Sequence, residues 1–205
     1  MKKTKMAAFV ALSTTLPLLT ALPASADPPP RFSFSMAAGW GCPNNGVGLA
    51  ISPPSQGEIK MMFSVAPFRA SVGKDVPAEE ARKNCTIYLI VHHASEYTWG
   101  LKRISARGAA DLEPGVTGEV THRHWYPGGP PGAEISRTIN APTRSWRLEY
   151  EGPLEFLPCG VERTLSLKTG LQVTTTDTSK AGWISLGDEF ESKTAYTLAY
   201  QTCKP

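Results

Sequence analysis

The sequence predicts an all-β protein: an antiparallel β-sandwich, jelly-roll-like or immunoglobulin-like, with two disulfides and at most one short helix. Three observations carry that expectation. Apolar residues recur at every second position in many short stretches. Glycine and proline, 18 of each, separate those stretches as turn formers. Four cysteines lie far apart in a chain that opens with an export-like segment.

The opening MKKTKMAAFVALSTTLPLLTALPASADPPP is positive at Lys2, Lys3 and Lys5 and mostly apolar over residues 6 to 22. Small residues follow at Ala24-Ser25-Ala26. That order reads as a signal peptide over residues 1–26, cleaved before Asp27. The apolar run is short for a membrane span and is broken by Pro17 and Pro23. No cysteine follows the cleavage point directly and no apolar tail ends the chain, so no lipid or membrane anchor is expected. The expectation is a free, secreted (extracellular) protein. Residues 27–38 read as a disordered or extended leader, stiffened by three prolines. Residues 39–205 read as a single β-sandwich domain, expected to be a monomer.

The whole chain carries 21 Lys+Arg and 18 Asp+Glu. The signal holds three of the lysines and no acid, so without it the charges balance at 18 each. A balanced chain has no bulk electrostatic reason to bind nucleic acid.

The strands follow from parity. Val47, Leu49 and Ile51 share one parity, as do Ile59, Met61, Phe63 and Val65, with Lys60 and Ser64 between them. Ile87, Leu89 and Val91 follow Cys85, and then Tyr97, Trp99 and Leu101 alternate. Trp146, Leu148 and Tyr150 are separated by Arg147 and Glu149. The longest series is Val161, Arg163, Leu165, Leu167, Thr169, Leu171, Val173, and Tyr196, Leu198 and Tyr200 close the set. Such spacing puts one side of each strand in a core and the other in water. Only KDVPAEEARKN, residues 74 to 84, reads as helix. Asp75 can cap it, Pro77 suits the first turn, and Glu79 and Glu80 precede Arg82 and Lys83 in the order the helix dipole favours.

Cys42, Cys85, Cys159 and Cys203 contain no C-x-x-C pair, so zinc-module spacing is absent and two disulfides are the default after export. Four cysteines permit three pairings. Cys42–Cys85 with Cys159–Cys203 is favoured because each closes a loop of moderate length, although sequence alone does not choose. Each bridge would stabilise by roughly 3–4 kcal/mol in the chain-entropy picture.

Several landmarks occur in a fixed order: Gly41-Cys42-Pro43, then Phe68-Arg69-Ala70-Ser71-Val72-Gly73, then Arg82-Lys83-Asn84-Cys85 leading into a strand, Pro158-Cys159-Gly160, and Cys203-Lys204. In order and spacing the chain resembles the domain of unknown function 4360 family, small secreted proteins of fungi and bacteria. The resemblance covers about Gly39 to Cys203. It implies an exported, disulfide-bonded β domain and supplies no catalytic residue.

The residues bear on three chemistries. His122 and His124 in THRHWYPGGPPG share a strand face and could grip a metal. The first acid after them is Glu134, beyond a Gly-Pro loop, and His92 and His93 are adjacent, so a strand sends them to opposite faces. The simpler reading is a pair of solvated strand histidines; no metal and no cofactor are expected. For hydrolysis, the chain has no G-x-S-x-G elbow, its cysteines are taken as oxidised, and Asp75, Glu79, Glu80, Asp111 and Glu113 form no recognisable pair. GWGCPNNG reads as a turn rather than a nucleotide cradle, and the sequon Asn84-Cys85-Thr86 as chance. For binding, Trp99 and Trp146 read as core and Trp183 as ambiguous. Trp125 shares parity with Glu119, Thr121 and Arg123, the polar side of its strand. Arg123, Trp125 and Tyr126 are therefore the candidate binding rim, for a carbohydrate or a protein surface. The expected function is a non-catalytic extracellular or cell-envelope binding or structural protein. The alternative is a secreted enzyme, metal-dependent through the histidines or hydrolytic through a site invisible in sequence.

Overall fold

The computed structural model of the chain describes residues 29–65, 68–92, 96–128, 131–160, 164–187 and 193–203. Residues 1 to 26, expected as a signal peptide, lie outside them, as do His93, Val161 and Arg163. Alternation in sequence becomes alternation in burial. Ile59, Met61, Phe63 and Val65 are at most 4% exposed, while Lys60, Met62 and Ser64 between them face water. The described residues form the strands β1 (Arg31–Ala38), β2 (Val47–Ile51), β3 (Glu58–Val65), β4 (Arg69–Val72), β5 (Arg82–His92), β6 (Tyr97–Leu112), β7 (Val116–Trp125), β8 (Pro131–Asn140), β9 (Ser145–Glu151), β10 (Thr164–Thr175), β11 (Gly182–Leu186) and β12 (Lys193–Thr202).

The strands make two antiparallel sheets packed as a sandwich. One is five-stranded in the order β1-β5-β10-β7-β8; the other is seven-stranded, β2-β3-β12-β6-β11-β4, with β9 also paired to β6. The 16 residues of β6 let it serve three partners: β12 along Tyr97–Ala106, β11 along Gly108–Leu112, and β9 along Arg103–Ala109. The core lies where the inner faces meet. Leu89, Leu165, Leu167 and Leu171 come from the smaller sheet; Ile59, Met61, Phe63, Ile104, Ile184 and Leu198 come from the larger. Each such side chain stabilises by about 1.5–3 kcal/mol through burial. Phe63 and Tyr196 meet edge to face at 5.6 Å, and Phe32 and Trp99 at 5.9 Å. On β7 a Cβ at Gly118 would stand 2.5 Å from Ile184 Cγ2 of the opposing sheet, so only glycine permits that approach.

Both disulfides form in the favoured pairing. Cys42–Cys85 ties the turn after β1 to β5, with Cα atoms 5.4 Å apart, and Cys159–Cys203 ties the segment after β9 to the end of β12, with Cα atoms 6.1 Å apart. No helix among the described residues is long and apolar enough to cross a membrane.

Two local expectations change. The segment expected as a helix over residues 74 to 84 keeps only a 3₁₀ turn, Ala78–Ala81, with Pro77 at its N-cap and no side-chain cap from Asp75. Arg82 already has extended backbone, because ladder pairing of Arg82–Asn84 with Gly170–Gln172 outweighs the one further turn. Lys83 still reaches Glu80 at 2.6 Å. Residues 31–38, read as part of the leader, form β1 and pair along β5, burying Phe32 and Ala37.

Candidate functional site

The stretch containing His122 and His124 belongs to β7, which lies between β10 and β8. Parity decides the two sides of this strand. Val116, Val120 and His122 are buried, at 2%, 0% and 0% exposure, so that series faces the core. His122 is therefore a core residue and not a solvated one. Its position in the alternation outweighs its polar type, because flipping one residue would flip the whole strand. Its Nδ1 lies 3.0 Å from Thr169 Oγ1 and 3.4 Å from the Tyr196 hydroxyl, and its ring stands edge to face with Tyr196. Burial disfavours the charged imidazolium and lowers the pKa to about 4. Burial of Tyr196 pushes its hydroxyl up to about 12. Thus both rings are neutral near neutral pH. His124, half-buried, is also lowered by burial, with Glu155 opposing. Nε2 of His122 and Nδ1 of His124 have no hydrogen-bond partner among the described residues.

The other expected ligands lie apart. His92, at the exposed end of β5, is 2.9 Å from Ser33 Oγ through Nε2. Among the described residues no three His, Cys, Asp or Glu side chains come together as a metal-binding group.

Of the three rim residues, two share a face. Arg123 and Trp125 alternate with the buried histidines, so they stand on the outer side of the five-stranded sheet. Tyr126 has the opposite parity. Its ring meets Trp99 edge to face at 5.4 Å and packs against the core. Burial pushes its hydroxyl up to about 12, opposed by a backbone hydrogen bond from Leu101.

The register adds neighbours that the sequence alone does not supply. Trp125 is opposite Ser166, Ser166 is opposite Tyr88, Tyr88 is opposite Met36, and on its other side Trp125 is opposite Pro131. One row thus runs across all five strands. Ser166 faces outward, since Leu165 and Leu167 on either side face the core, yet it has no exposed surface. Across the ladders it is flanked by Tyr88 and Trp125, both half-buried. Met36 and Ile90 on the same face are 47% and 40% exposed. The adjacent row reads Ala38, Thr86, Lys168, Arg123, Glu134, placing two cations and one acid beside the aromatics.

Tyr88 and Ile90 carried a usable signal: they are apolar residues on the polar parity of a strand. Trp40 carried less. It is 75% exposed, between Gly39 and Gly41 in the turn that Cys42–Cys85 closes. The turn is held by the Gly41 N–H donating to the Asn84 carbonyl at 2.8 Å. Trp183, ambiguous in sequence, is half-buried with the Arg69 guanidinium 4.0 Å above its ring.

The family described as domain of unknown function (DUF4360) matches residues 33–203. A curated relative, an uncharacterized secreted protein of Arthroderma benhamiae, is 26% identical over 148 residues, 70% of this chain and 59% of the relative. The chain thus spans about three-fifths of that relative's length. Among solved structures, TmCBM61 in complex with β-1,4-galactotriose is similar at 13% identity and a TM-score of 0.29, covering 85% of this chain and 89% of that one. The tailspike protein 4 of bacteriophage CBA120 is similar at 10% identity and a TM-score of 0.27, over 84% of this chain and 19% of that one. Likenesses at these TM-scores carry no weight for what this chain binds.

Proposed function

The chain belongs to the DUF4360 family and is secreted, and from that premise we propose that it is a non-catalytic binding protein whose outer five-stranded face takes a saccharide. The observation that carries this reading is the row from Met36 through Tyr88, Ser166 and Trp125 to Pro131. Tyr88 and Trp125 sit on a sheet that fixes their spacing, so little conformational entropy is lost when a ligand stacks on them. A sugar ring offers an apolar C–H face to such aromatics and hydroxyls at its edge. Arg123, Lys168 and Glu134 in the next row supply donors and acceptors for those hydroxyls. Glu134 is the single carboxylate of that row.

The test is a binding survey on soluble and insoluble glycans with the parent protein and Trp125→Ala. Truncating an aromatic anchor costs about 2 kcal/mol, roughly thirtyfold in Kd. A bound glycan whose affinity ignores Trp125→Ala would place recognition elsewhere. Capture of a protein, and no glycan, through the same residue would replace the saccharide by a polypeptide partner.

A further inference from the structure

A second surface breaks the charge pattern of its surroundings. On the ladder between β6 and β9, Arg103 faces Glu151 and the two are joined at 2.7 Å. Nearby, Arg144 is joined to Asp111. Two rungs beyond the first pair, on the same outward side, Arg107 faces Arg147. Like charges directly opposite one another on a ladder repel. A third arginine comes from the other sheet: Arg137 of β8 donates its guanidinium N–H to the backbone carbonyl of Arg147, which holds it at the seam of the sandwich.

The three guanidinium-bearing residues line a cleft of about 410 Å³ together with Gly108, Ser145 and Trp146. Its floor is fixed. A Cβ on Gly108 would stand 2.3 Å from the Trp146 ring, and Trp146 Nε1 donates to the Ala109 carbonyl at 3.2 Å. Among the described residues no carboxylate lines the cleft, and neither Arg107 nor Arg137 has an acidic partner. Among the described residues Arg147 reaches one carboxylate, Glu149, at 3.3 Å.

We propose that this cleft is an oxyanion site, taking a carboxylate or sulfate group that is either borne by an acidic saccharide or present as a free ion. An oxyanion seated between Arg107, Arg137 and Arg147 turns their repulsion into attraction. Guanidinium groups present paired N–H donors that match two oxygens of one such group. The cleft lies on the outer side of the seven-stranded sheet and at the seam. It is thus separate from the Trp125 row, and either site stands without the other.

The experiment is calorimetric titration of the intact protein with inorganic sulfate and, separately, with an oligogalacturonate at low ionic strength. Arg107→Gln is compared with the control Arg144→Gln. The parent and the control bind, Arg107→Gln weakens binding about tenfold or more, and added chloride weakens it further. Arg107→Lys retains charge without the fork and falls in between. In anion-free buffer Arg107→Gln melts no lower than the parent, because one of two facing charges is gone, so lost binding is not lost folding. Tighter binding of the oligogalacturonate assigns the anion to a saccharide, and binding of sulfate alone assigns it to a free ion. Binding of neither probe, or equal affinity of the Arg107 and Arg144 variants, overturns the proposal.

Discussion

The two sides of β7 carry the same kinds of residue to opposite ends. Inward, His122 and His124 are withdrawn from water, and His122 is neutral between Thr169 and Tyr196. Outward, the half-buried Arg123 and Trp125 share a face with Tyr88, Lys168 and Glu134. Polarity alone would assign the histidines to a site and the tryptophan to a core. The strand reverses this, because a side chain's place in the alternation is shared by every neighbour on its face. The two histidines are thereby turned into the sandwich, and Arg123, Lys168 and Glu134 are left on the outer face.

The strongest way to break this comparison is to injure one side and look for effects on the other. Leu167, opposite His124 in the ladder and 1% exposed, is the inner-face choice. Leu167→Ala is expected to lose about 2–5 kcal/mol of stability in denaturant titration. The surviving folded protein should keep its ligand affinity. Loss of affinity in step with stability would mean that the two sides are not independent.

Acid sharpens the comparison next. The folded pKa of His122, about 4, lies below the ordinary value of 6.5. The unfolded chain therefore takes up a proton that the folded one refuses. Stability from this group is complete above 6.5 and declines as pH falls, until both states are protonated below about 4. The loss approaches about 3 kcal/mol across that window, and His124 shifts in the same direction. Unfolding titrations between pH 6.5 and about 5, above the ordinary carboxylate range, should show a shallower decline in His122→Gln. Equal slopes in both proteins would mean that water reaches the imidazole.

The smallest expected effect concerns Tyr126, on the inner side of the rim. Tyr126→Phe removes the hydroxyl that meets the Leu101 backbone and keeps the ring that packs on Trp99. About 1 kcal/mol of stability should go, with glycan affinity unchanged. A Tyr126→Phe variant that binds as poorly as Trp125→Ala would return Tyr126 to the binding face.

Much of the fold was legible. The alternating apolar residues of Ile59–Val65 and Leu165–Val173 are buried as the pattern predicts, and the cysteine spacing favoured the pairing that forms. What misled was residue type set against pattern. Asp75, Pro77 and two glutamates make a good helix start, yet the ladder claims the chain from Arg82 onward. Phe32 reads as leader because three prolines precede its strand. On the candidate site, parity separates Trp125 from the core side. The same argument, carried one residue further, turns Tyr126 inward. Tyr88, Ser166 and Lys168 were out of reach, because their place beside Trp125 and Arg123 depends on which strands pair and in what register. The three-arginine cleft was hidden for the same reason: Arg107 and Arg147 are 40 positions apart in the chain yet share one rung.

The two cystine bridges differ in what surrounds them. Cys42 and Cys85 are 1% and 2% exposed, sealed beneath the turn that carries Trp40, whereas Cys159 lies open at the surface. A mild thiol reagent meets the second bridge in the folded protein and the first only after the sandwich opens. The strap after β9 is tied by the second bridge and by its Leu157 N–H, which donates to the Trp99 carbonyl at 3.1 Å. The molecule thus has one permanent rivet and one latch, and the latch closes over the edge where Trp99 is housed.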